Sequence, residues 1–253
     1  MGDAATLVRR GRWAAIALAV VIVTDLIAIW SDWLEIRLFD RAINGEEIEL
    51  STFDSDDIRQ GLVALLQLAA LVAAVILFLR WFHRSYVALP HLGATRRFGS
   101  RWAIGAWFVP FVNVWRPKQI ADDLWRGTDP GKAPIGNGSW GWRSSWLITA
   151  WWISWLVLAV VETRAIVAWS EAPLAVDAGP PAAVGLTEGA EDARSAAVVD
   201  LVSSLVDIPV AVLAILVVRA LTSRLVERMQ LVATLAASVR PARQGEVGGL
   251  GAA

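Results

Sequence analysis

The sequence predicts an all-α, polytopic membrane helical bundle: four transmembrane helices plus a cytoplasmic interfacial or re-entrant segment. Three observations predict it. Hydrophobic residues make up 56% of the 253-residue chain and its mean hydropathy is positive, too apolar for an ordinary soluble domain. Four stretches, residues 13–31, 61–82, 145–169 and 197–220, meet the roughly 20 residues needed to cross a hydrocarbon core about 30 Å thick. Basic residues are segregated into alternate connections, which sets an orientation.

The elements follow in order. In "MGDAATLVRRGRW", Arg9, Arg10 and Arg12 precede the first apolar run. No A-x-A cleavage site follows that run and Asp25 lies inside it, so a retained first helix is predicted rather than a signal peptide. The match of Gly2 and Thr6 to the myristoylation pattern is read as chance. The 31–60 connection is acidic, with "NGEEIELSTFDSDD", and is placed outside. The connection from 80 to 143 carries Arg80, Arg84, Arg96, Arg97, Arg101, Arg116, Lys118, Arg126, Lys132 and Arg143 against Asp122, Asp123 and Asp129, and belongs in the cytoplasm.

Within that basic connection, "WAIGAWFVPFVNVW" is an apolar run of only 14 residues. It is too short to span, and a fifth span would reverse every later loop, so the segment 102–126 is predicted to lie at the interface or to re-enter. Pro117 opens a short helix, "PKQIADDLW". The acidic 170–194 connection is again outside, and Arg219, Arg224 and Arg228 return the C-terminus to the side of residues 1–12. Both termini are then cytoplasmic. Trp13, Trp30, Trp33, Trp81, Trp146 and Trp169 fall near span ends, where amphipathic rings settle at an interface. From the end of the 13–225 membrane domain into the 226–253 extension, Val218, Leu221, Leu225, Val232, Leu235 and Val239 follow a 3.5-residue repeat broken by Arg228. That repeat fits a coiled coil or a surface-lying helix, and past Pro241 the tail is expected to be disordered. Arginine exceeds lysine and alanine and valine abound, which suggests a bacterial source and hence the inner membrane.

Several chemistries are excluded. The chain has no cysteine, which removes disulfides, thiolate catalysis and cysteine-ligated metals. Its two histidines, His83 and His91, do not share a helical face across Pro90, and no carboxylate completes a metal site with them, so no metal is expected. Elbow, Walker and zinc-protease motifs are missing, and neither an enzyme nor a cofactor is expected. The arginines follow the positive-inside rule and attraction to anionic headgroups, and nucleic acid is not an expected partner.

One polar constellation stands out. In the fourth span, Asp200, Ser203, Ser204 and Asp207 are spaced i, i+3, i+4 and i+7 on one helix face, continued by Ala211 and Ala214. Pro209 predicts a kink beside Asp207. Asp25, Gln67, Glu162 and Arg164 occupy the same outer half of the other spans, with Arg164 aimed at Asp25 or Asp207. Such a cluster is either an interhelical packing network or a relay for protons, cations or a polar ligand.

The run 81–126 carries W-x-x-R at Trp81 to Arg84, "LPHLGA" with Gly93, then Gly105, Ala106, Trp107, Phe108, Val109 and Pro110. Asn113 with Trp115, Arg116 and Pro117, and Leu124, Trp125 and Arg126, complete the pattern. Together these resemble a family of actinobacterial four-span membrane proteins catalogued as a domain of unknown function, over residues 60–225. The chain departs from it at Ala88, where the family has asparagine. The resemblance implies the fold and a membrane location and carries no reaction. The leading expectation is a non-enzymatic interaction or regulatory membrane subunit, partnered by the lipid bilayer and by a second copy or another membrane protein. The alternatives are a small transporter or channel built on the outer-half cluster, and a lipid-handling enzyme.

Overall fold

A run of Leu, Ile, Val and Ala with arginines near its start carries the first helix, α1, from Gly2 to Ile43. The computed structural model describes the backbone of residues 2–129, 145–171 and 183–249, and the side chains of 4–129, 145–163 and 189–238. α1 stops where Gly45, at φ 80°, bends left-handed and its N–H and that of Glu46 close on the carbonyls of Ala42 and Arg41. α2 runs from Leu50 to Ala88 and tightens into a 3-10 turn, Leu89–Leu92, at Pro90, capped by Gly93 at φ 73°. Two short turns follow, α3 (Trp102–Gly105) and a 3-10 turn (Val112–Val114). α4 spans Arg116–Gly127, with Pro117 in its first turn as expected. The long helices α5 (Trp146–Glu171) and α6 (Ala183–Gly249) complete the described chain, which contains no strand.

The fold is all-α, and four of its helical stretches, Ala4–Ile43, Leu50–Leu92, Trp146–Thr163 and Gly189–Ser238, are long and apolar enough to cross a membrane. The acidic connection expected at 31–60 is largely helical instead: α1 and α2 extend into it from both sides and leave only residues 44–49 between them. Hydropathy ends a span where charges begin, but charged residues are good helix formers, so the helix outlasts its apolar part. At about 1.5 Å per residue, the 42 residues of α1 reach about 63 Å, well beyond a hydrocarbon core about 30 Å thick. The kink predicted at Pro209 does not interrupt α6, whose helical backbone also continues past Pro241 to Gly249.

The chain divides into two compact units. One comprises residues 1–15, 76–149 and 216–253, and its described core is large and aromatic: Trp81, Phe82, Tyr86, Leu89, Ile120, Leu124, Leu221 and Leu225 are fully buried. The other comprises residues 16–75 and 150–215. Small residues fill its interior, among them Ala17, Ala28, Ala70, Ala74, Ala197, Ala211 and Ala214, and polar residues are buried beside them: Thr24, Asp25, Ser31, Asp32, Asp56, Ser203 and Ser204. Large apolar side chains of this unit, such as Leu62, Leu65, Leu66 and Leu68 on α2, point outward, which suits a lipid-facing helix.

Candidate functional site

In the small-residue unit, α1 and α2 are joined by polar pairs in antiparallel register. Asp25 Oδ1 accepts a hydrogen bond from Gln67 Nε2 at 3.2 Å, and Asp32 Oδ1 accepts one from Gln60 Nε2 at 3.4 Å. A step of seven residues along α1 is matched by a step of seven back along α2, two turns of each helix. Gln60 also donates to Glu35 Oε2 and accepts from Ser31 Oγ at 2.7 Å. Arg59 closes this end: it donates to Ser31 Oγ at 3.0 Å and to the Ser31 carbonyl at 3.2 Å, and pairs with Asp56 one turn before it. At the end of α1, Arg194 of α6 pairs with Asp40 at 2.6 Å.

The predicted face of α6 turns inward. Ser203 and Ser204 are buried, Asp200 and Asp207 are half-buried, and Val202 and Leu205 on the opposite side are exposed. Asp25 lies close enough to Asp207 to act on it electrostatically, Glu162 of α5 acts on Asp25, Asp200 acts on Asp32 and Glu35, and Glu162 feels both Asp207 and Asp200. Asp25, Asp32, Glu35, Asp56, Asp200, Asp207 and Glu162, the last of them exposed, are therefore linked electrostatically as one set of carboxylates, a carboxylate column. Among the described residues, Asp25, only 3% exposed, keeps Oδ2 buried without a partner, as do Asp32 at its Oδ2 and Ser203 at its Oγ. The side chain of Arg164, expected to aim at Asp25 or Asp207, lies outside the described residues, as does that of Trp169. Among the described residues, no three histidine or carboxylate side chains are grouped to hold a metal ion.

Sequence reasoning found Asp25, Gln67, Glu162, Asp200, Ser203, Ser204 and Asp207, which the fold brings together. It missed Ser31, Asp32, Glu35, Asp56, Arg59 and Gln60, assigned to a loop. The signal was present: Asp25, Asp32 and Glu35 recur at helical spacing, as do Asp56, Gln60 and Gln67.

The signature residues lie in the aromatic unit. Trp81, expected at a membrane interface, is instead fully buried, and its Nε1 donates to Thr222 Oγ1 of α6 at 3.0 Å. Its position near a span end matches an interfacial anchor, but a helix neighbour supplies the hydrogen-bond partner that would otherwise be water. Trp13, Trp30, Trp33 and Trp146 are exposed. Trp107 packs edge-on against Phe78 and Phe82, with ring centroids 5.6 and 6.1 Å away. Gly93 supplies the left-handed cap, Pro117 is buried, and Trp125 lies 4.0 Å beneath the Arg224 guanidinium. Arg116 stacks on Trp102 and Phe98, while Arg84, Trp115 and Phe111 face outward. Pro110 opens the tight turn that follows α3, and Asn113 lies within the next 3-10 turn.

Asp123 of α4 ties this unit together. It accepts from Arg97 Nε at 2.8 Å, from the Arg97 N–H at 3.3 Å and from Tyr86 Oη at 3.2 Å, while Tyr86 Oη accepts from the Phe98 N–H at 3.1 Å. Burial raises the Asp123 carboxyl above its ordinary range, against the lowering pull of Arg97 and Tyr86. Arg228, read as a break in a heptad, is buried and donates to the Asp129 carbonyl at 3.1 Å.

Four apolar helices of spanning length, with carboxylates buried among small residues, define a helical integral membrane protein. Within that class the chain belongs to the family described as a domain of unknown function (DUF4328), which matches residues 44–223. No curated protein and no solved structure matches it.

Proposed function

We propose that the protein is a small transporter or channel that exchanges protons or small monovalent cations through its carboxylate column. The observation that carries this reading is Asp25, which has one oxygen held by a glutamine amide and the other buried with no partner among the described residues. An unpaired charge in the middle of a span costs about 2.5–3.5 kcal/mol even on the mildest scale. A glutamine supplies a hydrogen bond but no charge. A network built only to hold helices together is cheapest when each carboxylate meets an arginine or lysine. Here Asp25, Asp32 and Glu35 hydrogen-bond to glutamines, among the described residues only Asp32 of the three also feels an arginine, Arg59, and a proton or a cation would relieve the linked set. Loop charge supports an orientation in a bacterial plasma membrane with both termini cytoplasmic.

The test is flux. The full chain in liposomes carrying an internal pH dye, under a potassium diffusion potential, acidifies faster than protein-free liposomes. Asp25→Asn and Asp207→Asn each slow that rate about tenfold while the protein remains monodisperse. A rate equal to protein-free liposomes, or one unchanged in both variants, removes the transport reading and leaves the column as packing.

The interaction-subunit reading rests on the exposed leucine face of α2, which a second copy or another membrane protein would cover as well as lipid does. Native mass spectrometry of protein extracted from its own membrane distinguishes them: a stoichiometric partner supports the subunit.

A further inference from the structure

The aromatic unit exposes an apolar tip between α3 and α4. Phe111 is 80% exposed and Phe108 67%, and Val109, Val114 and Trp115 are exposed beside them. Phe111 is the centre of a γ-turn, at φ 63° and ψ −41°, closed by the Val112 N–H donating to the Pro110 carbonyl at 2.7 Å. Such a conformation costs a non-glycine residue about 1–3 kcal/mol. That strain does not hide the ring. It leaves it outside the fold.

The same segment sorts its cations into two groups. Arg97 and Lys118 are neutralised, by Asp123 at 2.8 Å and Asp122 at 3.0 Å. Arg116 is not. Its guanidinium lies 4.5 Å from the Trp102 ring and 4.6 Å from the Phe98 ring, its Nε is buried without a partner, and no carboxylate pairs with it among the described residues. Arg101, exposed and next to Trp102, likewise has no carboxylate among the described residues. Phe98 is also one wall of an open cleft of about 620 Å³ lined by Thr95, Arg96 and Arg97. Two rings hold the Arg116 guanidinium, so its fork is oriented before any anion arrives, which favours bidentate capture of a phosphate.

The geometry points to a site for an anionic phospholipid, in which Phe108, Phe111 and Trp115 enter the acyl layer and Arg101 and Arg116 hold the headgroup phosphate. The two features together select an amphiphile. A free phosphate would leave the rings in water, and an apolar protein surface would leave two guanidiniums unneutralised. Anionic lipid satisfies both, and clustered arginines beside a span are the ordinary recognition element for it. This inference is independent of the carboxylate column.

The chain has no native cysteine, so Phe111→Cys carries a single nitroxide on an exposed residue. The labelled full chain is placed in nanodiscs of phosphatidylcholine with phosphatidylglycerol. The label should be more accessible to oxygen than to a water-soluble nickel chelate. Native mass spectrometry of the unlabelled chain from the same mixture should show phosphatidylglycerol retained over phosphatidylcholine, and the Arg101→Gln/Arg116→Gln variant should lose that preference about tenfold. Arg116→Lys, which keeps the charge and loses the planar stack, should retain an intermediate preference. A label fully accessible to the nickel chelate overturns the inference. So does spin–spin broadening that marks a second copy on the tip. A double variant with undiminished phosphatidylglycerol retention and unchanged melting temperature removes the headgroup site.

Discussion

At Asp25 and Asp123 the same side chain meets opposite surroundings. Asp25 has a glutamine amide on one oxygen and no partner among the described residues on the other, whereas Asp123 collects a guanidinium, a backbone N–H and a phenol. The first arrangement is the one the proposed exchange rests on. The second fixes structure. Asp123 has its own pH signature. Burial raises its carboxyl above the ordinary 3.8, so the folded state holds the proton more tightly than the unfolded chain. Folding stability therefore falls as pH rises from 3.8 through the raised value and is level beyond it. Asp123→Asn should flatten that part of a melting-temperature profile measured in detergent between acid and neutral pH; an unchanged profile would show that Arg97 fully offsets the burial.

Between helices, spacing set what could meet and close approach set what did. On α6, residues 200, 203, 204 and 207 were legible as one face, and the inward face continues through Val210, Ala211, Ala214, Val217, Val218, Leu221, Leu225 and Arg228. Its repeat fades afterwards, with Leu231 and Leu235 exposed. Where α1 meets α2 and α6, Gly11 makes the contact: a Cβ there would lie 2.6 Å from Thr222 Oγ1 and 3.3 Å from Trp81 Nε1. Thr222 is held by its own bond to the Val218 carbonyl at 2.7 Å, and rotating it would bring its methyl toward the same space. Gly11→Ala should therefore break the Trp81–Thr222 hydrogen bond and destabilise the fold by about 1–3 kcal/mol, seen as a lower melting temperature. A variant as stable as the parent would mean the helices separate there without cost.

For the molecule as a whole, an even number of crossings would put residues 3 and 244 on the same side of the membrane. Single cysteines at Asp3 and at Gln244 should both react with a membrane-impermeant maleimide only after cells are permeabilised, and one at Glu47 should react before. The reverse pattern would invert the orientation that loop charge predicts. The sequence by itself determined the four apolar segments and the polar face of α6, because hydropathy and helical period depend only on neighbours along the chain. The tertiary structure alone decided that Gln60 serves Asp32 and Glu35, that Trp81 is core and not belt, and that Arg228 is buried on a carbonyl. Those outcomes depend on the register between helices far apart in sequence, and a tryptophan or an arginine near a span end has the same local signature whether it meets lipid or another helix.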